Sequence, residues 1–375
     1  MTKRRHMAIF CRCLQALLAL SVIGCHAREV PESWKTDCVG RMQLSLPGDA
    51  EIAANSVKML EAEYRVGSTQ PRFEFADGEI AGWSAQHYMG RLFVSHQLMK
   101  RDISTLDRAA SKYVEQSRKW AVRTKVSSSG EKLAFEMLRV EPHKGIGSRV
   151  SAAYTVSLFI EDRLIRLSSS GRDMTWAEQG KELNMFLTGV VARPFGSIPN
   201  KPGVCLPYFF VTDDGKPQRS IGMTYRLRDH PDVSVWLEDA SALKGGDDRI
   251  EAKLEPRAKS DFFWSNYRTS DRILLRSEWR TPYRDISLAG TRGVESFVKI
   301  VRKDGTADYG YLAAGRGNPD EKGDTPDLML YVIQDARIAK DKGVEPLGKD
   351  ALLDIAQRIA ASVKRRATAV QQTLD

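Results

Sequence analysis

The chain has 375 residues, 28% of them charged and 42% hydrophobic, and a formal charge of +9. Four of its 57 Lys and Arg residues (Lys3, Arg4, Arg5, Arg12) sit at the start, so the remainder exceeds the 48 acidic residues by only five. The charges are interleaved, with no basic block longer than Lys364-Arg365-Arg366, which excludes the basic stripe that nucleic-acid binding needs; the length suits two domains better than one.

Residues 1–24 have the form of a signal peptide. A basic start leads into the apolar run Leu14–Gly24, which is too short for a membrane span of about 20 residues. Val22-Ile23-Gly24-Cys25 resembles the lipobox of bacterial lipoprotein signals, in which cleavage precedes a cysteine that is then acylated. An ordinary cut near Ala27 is the alternative. Several acyl chains hold a protein durably where one does not, so the lipobox predicts a periplasmic lipoprotein anchored to a membrane through Cys25. Cys11 and Cys13 leave with the leader. Cys38 and Cys205 then make an even pair suited to an oxidising compartment. They are either a disulfide closing a very long loop or two separate buried thiols.

Beyond the leader the pattern predicts an α+β chain of two domains, residues 33–193 and 203–367, joined by a linker over 194–202. The stretch Arg193–Gly203 holds three prolines and two glycines and cannot continue a helix or a central strand. In the first domain Met42, Leu44 and Leu46 alternate with polar residues, as in a half-buried strand stopped by Pro47. Further strands are expected at 91–96, 132–140, 150–160 and 163–168, the last two turning at Glu161-Asp162. Ser104–Ala121, capped by Ser104, places Leu106, Ala110, Tyr113, Ser117 and Trp120 on one helical face. Thr175 and Glu178 form a capping box before Leu183, Phe186, Leu187 and Val190. Trp120 and Trp176 are expected in the core.

The second domain opens on a strand at 204–212 that contains Cys205. Strands at 223–228 and 233–237 flank Asp229–Asp232, and 295–302 and 307–313 flank a turn with the hairpin signal Asp304-Gly305. A buried strand at 328–333 and an amphipathic helix at 350–366 complete it. Each half therefore starts with a cysteine-bearing strand and ends with an amphipathic helix. The pattern predicts two related domains, each an antiparallel sheet with packed amphipathic helices.

Residues able to carry catalysis are few. HExxH is absent, and no two histidines stand at ligand spacing on a helix. His96 alternates with apolar neighbours and reads as structural; His230 precedes Pro231 in a turn. Gly82-Trp83-Ser84-Ala85-Gln86 lacks the second glycine of a nucleophile elbow. Gly145-Ile146-Gly147-Ser148 leads into an expected strand, not the helix that phosphate binding uses. Asp213-Asp214-Gly215 and Gly245-Gly246-Asp247-Asp248 lack calcium-loop spacing. No catalytic residue, metal site or cofactor is expected. Phe262, Phe263, Trp264 and Tyr267, followed by Trp279, Tyr283 and Arg284, have the composition of a protein interface, and each is alternatively a core residue.

Several segments resemble the fourth family of Tle-cognate immunity proteins, two-domain proteins that protect bacteria from type VI secreted phospholipases. They are Cys38-Val39-Gly40-Arg41 with Leu44, Leu46 and Pro47, then Gly203-Val204-Cys205, Tyr225–Trp236, and Leu288–Val294 entering a strand. The resemblance spans roughly residues 34 to 366. It implies a non-enzymatic inhibitor that binds a cognate lipase or phospholipase effector in the periplasm, both domains gripping the toxin and holding its lid or substrate entrance closed. A periplasmic lipoprotein scaffold or envelope assembly factor, with no lipase partner, is the alternative.

Overall fold

Alternating apolar residues in both halves build one continuous antiparallel sheet. The computed structural model describes residues 30–368 except 67–71, 83–84, 126–132, 142, 152, 171–174, 268–270 and 322–323. The first half comprises β1 (Lys35–Val39), β2 (Met42–Leu46), β3 (Ala50–Ile52), α1 (Val57–Val66), β4 (Ala85–Tyr88) and β5 (Arg91–Val94). It continues with α2 (Lys100–Thr124), β6 (Phe135–Val140), β7 (Lys144–Val150), β8 (Ala153–Ile160), β9 (Arg163–Ser169), α3 (Trp176–Gly189) and β10 (Val190–Ala192). The second half comprises β11 (Gly203–Leu206), β12 (Phe209–Thr212), β13 (Arg219–Leu227), β14 (Val233–Ala240), α4 (Asp248–Leu254) and α5 (Pro256–Tyr267). It ends with β15 (Arg272–Ser277), β16 (Arg284–Leu288), β17 (Thr291–Arg302), β18 (Ala307–Gly315), β19 (Asp327–Gln334), α6 (Ala336–Lys342), α7 (Lys349–Ser362) and β20 (Lys364–Arg365).

The two halves repeat one plan. Strand order is β4-β5-β9-β8-β7-β6 in the first and β13-β14-β19-β18-β17-β15 in the second. Antiparallel pairing of β4 with β13, from Ala85↔Gly222 to Tyr88↔Arg219, fuses the two into a 14-stranded sheet. On one face, α3, α7 and both cysteine hairpins cover a core shared by the halves, including Leu92, Leu167, Phe186, Val235, Phe297 and Ile359. On the other, α1 and α2 cover Phe93, Phe159 and Leu164, while α5 covers Trp236, Ile300 and Tyr331. Helices segregated onto an antiparallel sheet make this an α+β fold of two related domains, as expected.

Some boundaries differ from the sequence reading. The apolar run 204–212 is a hairpin, β11 with β12, turning at Pro207-Tyr208, where Tyr208 has φ +59°. A run apolar at nearly every position carries no period to betray the turn. Helix α2 begins four residues before Ser104, whose hydroxyl donates back to the Lys100 carbonyl (3.0 Å), and the Asp102 carboxylate accepts the Met99 N–H (3.1 Å). The capping box at α3 is present, with Glu178 N–H on Thr175 Oγ1 (3.3 Å) and Thr175 N–H on Glu178 Oε2 (2.8 Å). Turn residues Ala289 (φ +51°) and Gly290 (φ +84°) join β16 to β17 in the two-residue hairpin that needs positive φ at both positions.

The halves exchange parts. Strand β10, the last of the first half, pairs with β12 of the second, Val190 opposite Val211. Strand β20, the last of the second half, pairs with β2 of the first, Met42 opposite Arg365. Each cysteine hairpin also packs on the other half's terminal helix, β2 against α7 and β12 against α3. Where the hairpins meet, Gly40 and Cys205 exchange both main-chain hydrogen bonds (2.8 and 2.7 Å). Gly40 has φ +55°, and a Cβ there would lie 2.3 Å from Asp239 Oδ2, so a side chain is barred on both counts. Cys38 and Cys205, both fully buried, form a disulfide with Cα atoms 5.7 Å apart.

Two buried arginines in matching positions complete the junction. Arg193, just after β10, pairs with the Asp37 carboxylate and donates to the carbonyls of Ser197 (3.1 Å) and Leu206 (3.3 Å). Arg366, just after β20, donates to Lys201 (2.8 Å) and Gly203 (2.8 Å). The 194–202 segment is thus tied down from both halves. Nearby, Arg219 grips Asp239 through Nε and Nη2 (2.6 and 2.7 Å), and Arg219 and Arg41 both reach Asp324 (3.1 and 3.3 Å).

Two outcomes are expected. Replacing both cysteines by serine should lower stability by about 3 kcal/mol, because the bridge restricts the unfolded chain over a long loop; a urea midpoint that does not move would contradict this. At Asp324, burial opposes ionisation, but Arg219 and Arg365 outweigh it and hold the carboxyl down at about 2. A depressed carboxyl stabilises fully above the unfolded value near pH 4 and loses that contribution as pH falls toward 2. Asp324→Asn should therefore flatten the acid limb of the stability–pH curve by on the order of 2 kcal/mol, measured by denaturant unfolding between pH 2 and 6.

Candidate interaction surface

Several of the polar groups inside the protein hold it together. Tyr88 donates to Asp213 Oδ2 (2.8 Å), which also accepts from Arg41 (2.9 Å); burial and that carboxylate push the phenol up, so it stays protonated. Tyr225 donates to Asp37 Oδ2 (2.9 Å) and is raised for the same reasons. His96 Nε2 lies 2.7 Å from the Glu74 carbonyl, as a structural histidine should, and burial lowers its pKa. The stretch 145–148 is in strand β7, and Asp247 caps α4 by accepting from Arg249 and Ile250 N–H (2.9 Å each). Trp83 and Ser84 lie outside the described residues, as does Cys25. Among the described residues no three His, Cys, Asp or Glu side chains converge where an ion could be held.

The seven interface candidates separate once α5 forms. Ser260, Phe263, Trp264 and Tyr267 follow the i, i+3, i+4, i+7 spacing of one helical face. Phe263 and Trp264 are 1% and 5% exposed. Trp264 donates its indole N–H to Ser296 Oγ (3.0 Å), and the Phe263 ring lies 5.3 Å from that of Tyr331. Both are core side chains and cannot touch a partner, which corrects the interface reading. Tyr267 is half-buried, with the Arg272 guanidinium 4.3 Å from its ring centre. Phe262, on the opposite side of the helix, is 62% exposed. The helical period was legible in the sequence and would have made this division.

The other three lie where β15, β16 and β17 end the sheet. Tyr283 is half-buried; its hydroxyl bonds the Asp261 carboxylate on α5, and burial with that contact pushes its pKa up to about 12. Trp279 packs against Phe297 (6.2 Å between centroids) and carries the exposed Arg284 guanidinium 3.9 Å above its ring. Phe297 belongs to the shared core, whereas its neighbours Ser296 and Val298 face α5. Phe262 and Tyr283 thus mark one face of the sheet's end, Trp279 and Arg284 the other.

The first half has its own exposed aromatics, which sequence reasoning placed in the core. Trp120 is 46% and Trp176 41% exposed. Helix α2 carries Trp120 to its last turns, beside a 460 Å³ cleft also lined by Tyr113, Ser117, Ser148 and Thr155. Trp176, in the first turn of α3, stacks under the Arg149 guanidinium at 3.3 Å.

The second half, with its hairpin, sheet and closing helix, matches the family model of the Tle cognate immunity protein 4 C-terminal domain over residues 197–368. The match spans just under half of the chain. Two solved structures are similar along nearly the whole chain. One is the apo structure of immunity protein TplEi of the T6SS from Pseudomonas aeruginosa: 15% identity, 90% of this chain and 98% of that one, TM-score 0.52. The other is a chain of the crystal structure of the Tle4-Tli4 complex: 14% identity, 91% and 100% coverage, TM-score 0.53. At such identities the likeness is one of fold, and it extends the immunity-protein architecture across the first half. A search of curated proteins found no match.

The two faces of α5 should respond differently to truncation. Trp264→Ala should cost about 3–5 kcal/mol and Phe262→Ala within about 0.5 kcal/mol, compared by chemical denaturation. Equal losses would place both rings in one environment.

Proposed function

We propose that this chain is an immunity protein that binds a type VI secreted lipase or phospholipase toxin and inhibits it without catalysis. The observation that carries the reading is the match of residues 197–368 to a Tle cognate immunity domain, set in a two-half architecture similar to an immunity protein over 90% of the chain. The physics of the junction supports it. Shared strands, an exchanged pair of hairpins and a disulfide hold the two halves in one relative placement, so surfaces on both can engage one partner with little ordering cost. Held this way, the halves grip the toxin together and keep its lid or entrance closed. Such an inhibitor shifts the toxin toward the closed form only by the ratio of its affinities for the two forms. In this reading the leader routes the protein to the periplasm, and acylation of Cys25 tethers it to a membrane.

The test is reconstitution with the lipase encoded beside its gene. Co-purification and loss of lipase activity at equimolar ratio are expected, and Cys25→Ser should move the protein from the membrane to the soluble periplasmic fraction. Full lipase activity at saturating protein would overturn the inhibitor reading; membrane retention of the serine variant would overturn the anchor.

A further inference from the structure

The outer edge of the second half carries a row of cations that its own acids leave unneutralised. Strands β15 and β16 lie end to end along one side of β17 and form the rim of the sheet. Arg276 on β15 is the cross-strand neighbour of Lys299 on β17, and Lys299 that of Tyr309 on β18; cross-strand neighbours share a face. Lys299 Nζ lies 5.8 Å from the Tyr309 ring centre. Tyr309 stacks on Phe297 (6.2 Å), Phe297 meets Trp279 at a tilt of 40°, and Arg284 covers Trp279. Arg276 and Arg284 are exposed and Lys299 half-exposed. Among the described residues none of the three makes an ion pair.

The more buried arginines near these strands are paired with acids instead. Arg272 and Arg302 are held by Asp308 and Asp335, and Arg316 by Asp327 and Glu251. Of the acids near the row, Glu278 is engaged by Lys349 (3.2 Å) and Glu295, the cross-strand neighbour of Arg284 and 8% exposed, by the Tyr311 hydroxyl (2.7 Å), while Asp285 alternates to the other face of β16. A row of free cations backed by aromatic rings is therefore built to receive negative charge from outside.

We propose that this rim, Arg276, Lys299 and Arg284 over Tyr309 and Trp279, is the docking surface for an acidic, Asp/Glu-bearing segment of a protein partner. A guanidinium laid flat on a ring presents its N–H fork sideways, the geometry that takes a carboxylate through two parallel hydrogen bonds. Arg276 and Lys299 lie side by side across β15 and β17, and Arg284 lies four residues along, opposite Glu295, so a segment running along the rim meets the pair and then Arg284. The rings are packed against Phe297 and covered by the cations, and beside them Leu274 on β15 is 37% exposed. Naming the segment's source as the toxin rests on the proposed function; the surface itself does not.

The experiment uses the full mature chain and the variant Arg276→Glu/Lys299→Glu/Arg284→Glu, all exposed or half-exposed positions. The probes are a glutamate-rich peptide, phosphatidylglycerol vesicles, and the lipase encoded beside the gene. The wild type should bind the peptide with affinity that falls steeply between low and physiological salt, and the variant should bind peptide and lipase about tenfold or more weakly. Arg284→Lys should recover only part of the binding, since a lysine keeps the charge and loses the fork. Equal peptide binding by wild type and variant overturns the proposal, as does binding to the vesicles without binding to the peptide. Lipase binding unchanged in the variant overturns the toxin as the segment's source. Failure of the wild type to bind the lipase counts against the proposed function, and the peptide comparison still decides the surface.

Discussion

The architecture depends on the meeting of two hairpins. Cys38 and Cys205 occupy equivalent strands of the two halves, and each strand belongs to a hairpin completed by the terminal strand of the opposite half. Neither half can close its face of the core alone, because α7 needs β2 and α3 needs β12. Covalent linkage at that point joins segments 167 residues apart in sequence, after which the relative placement of the halves is no longer a matter of a flexible tether. Arg193 and Arg366 bind the connecting segment from either side, and removing Arg193 would strand the buried Asp37 carboxylate.

Charge is distributed in keeping with this. Much of the arginine in the interior neutralises aspartates, some from distant parts of the chain, as Arg193 with Asp37 and Arg219 with Asp324, and some across one hairpin, as Arg219 with Asp239 and Arg302 with Asp308. Desolvated pairs of this kind specify geometry more than they add stability, since each ion must first leave water. Arg276, Lys299 and Arg284 at the second half's rim lack such partners, and the exposed tryptophans collect in the first half, on α2 and at the start of α3. A molecule whose halves are locked together but whose surface groups lie on both has the form of a two-point binder.

Much of the fold was legible because it rests on period. Met42, Leu44 and Leu46 announce β2, Asp304-Gly305 announces the β17–β18 hairpin, and Thr175 with Glu178 fixes the start of α3. Where period vanished the reading slipped: the run 204–212 hid a turn, and Trp120 and Trp176 were assigned inward although the elements that carry them end beyond the sheet's cover. The interface candidates were picked by composition, which cannot tell Phe262 from Phe263. Helical phase separates them, one into water and one into the core.

The sequence by itself determined the secondary elements, the α+β class, the repetition of plan between halves and the family likeness of the second half, because these follow from local periodicity and short motifs. Only the tertiary structure decided that the halves exchange their edges, that one sheet runs through both, and which charged side chains are spent inside. Those outcomes depend on contacts outside any local window, several of them between residues more than 100 positions apart. Local pattern sets which face of a strand is apolar, but not which neighbour covers it.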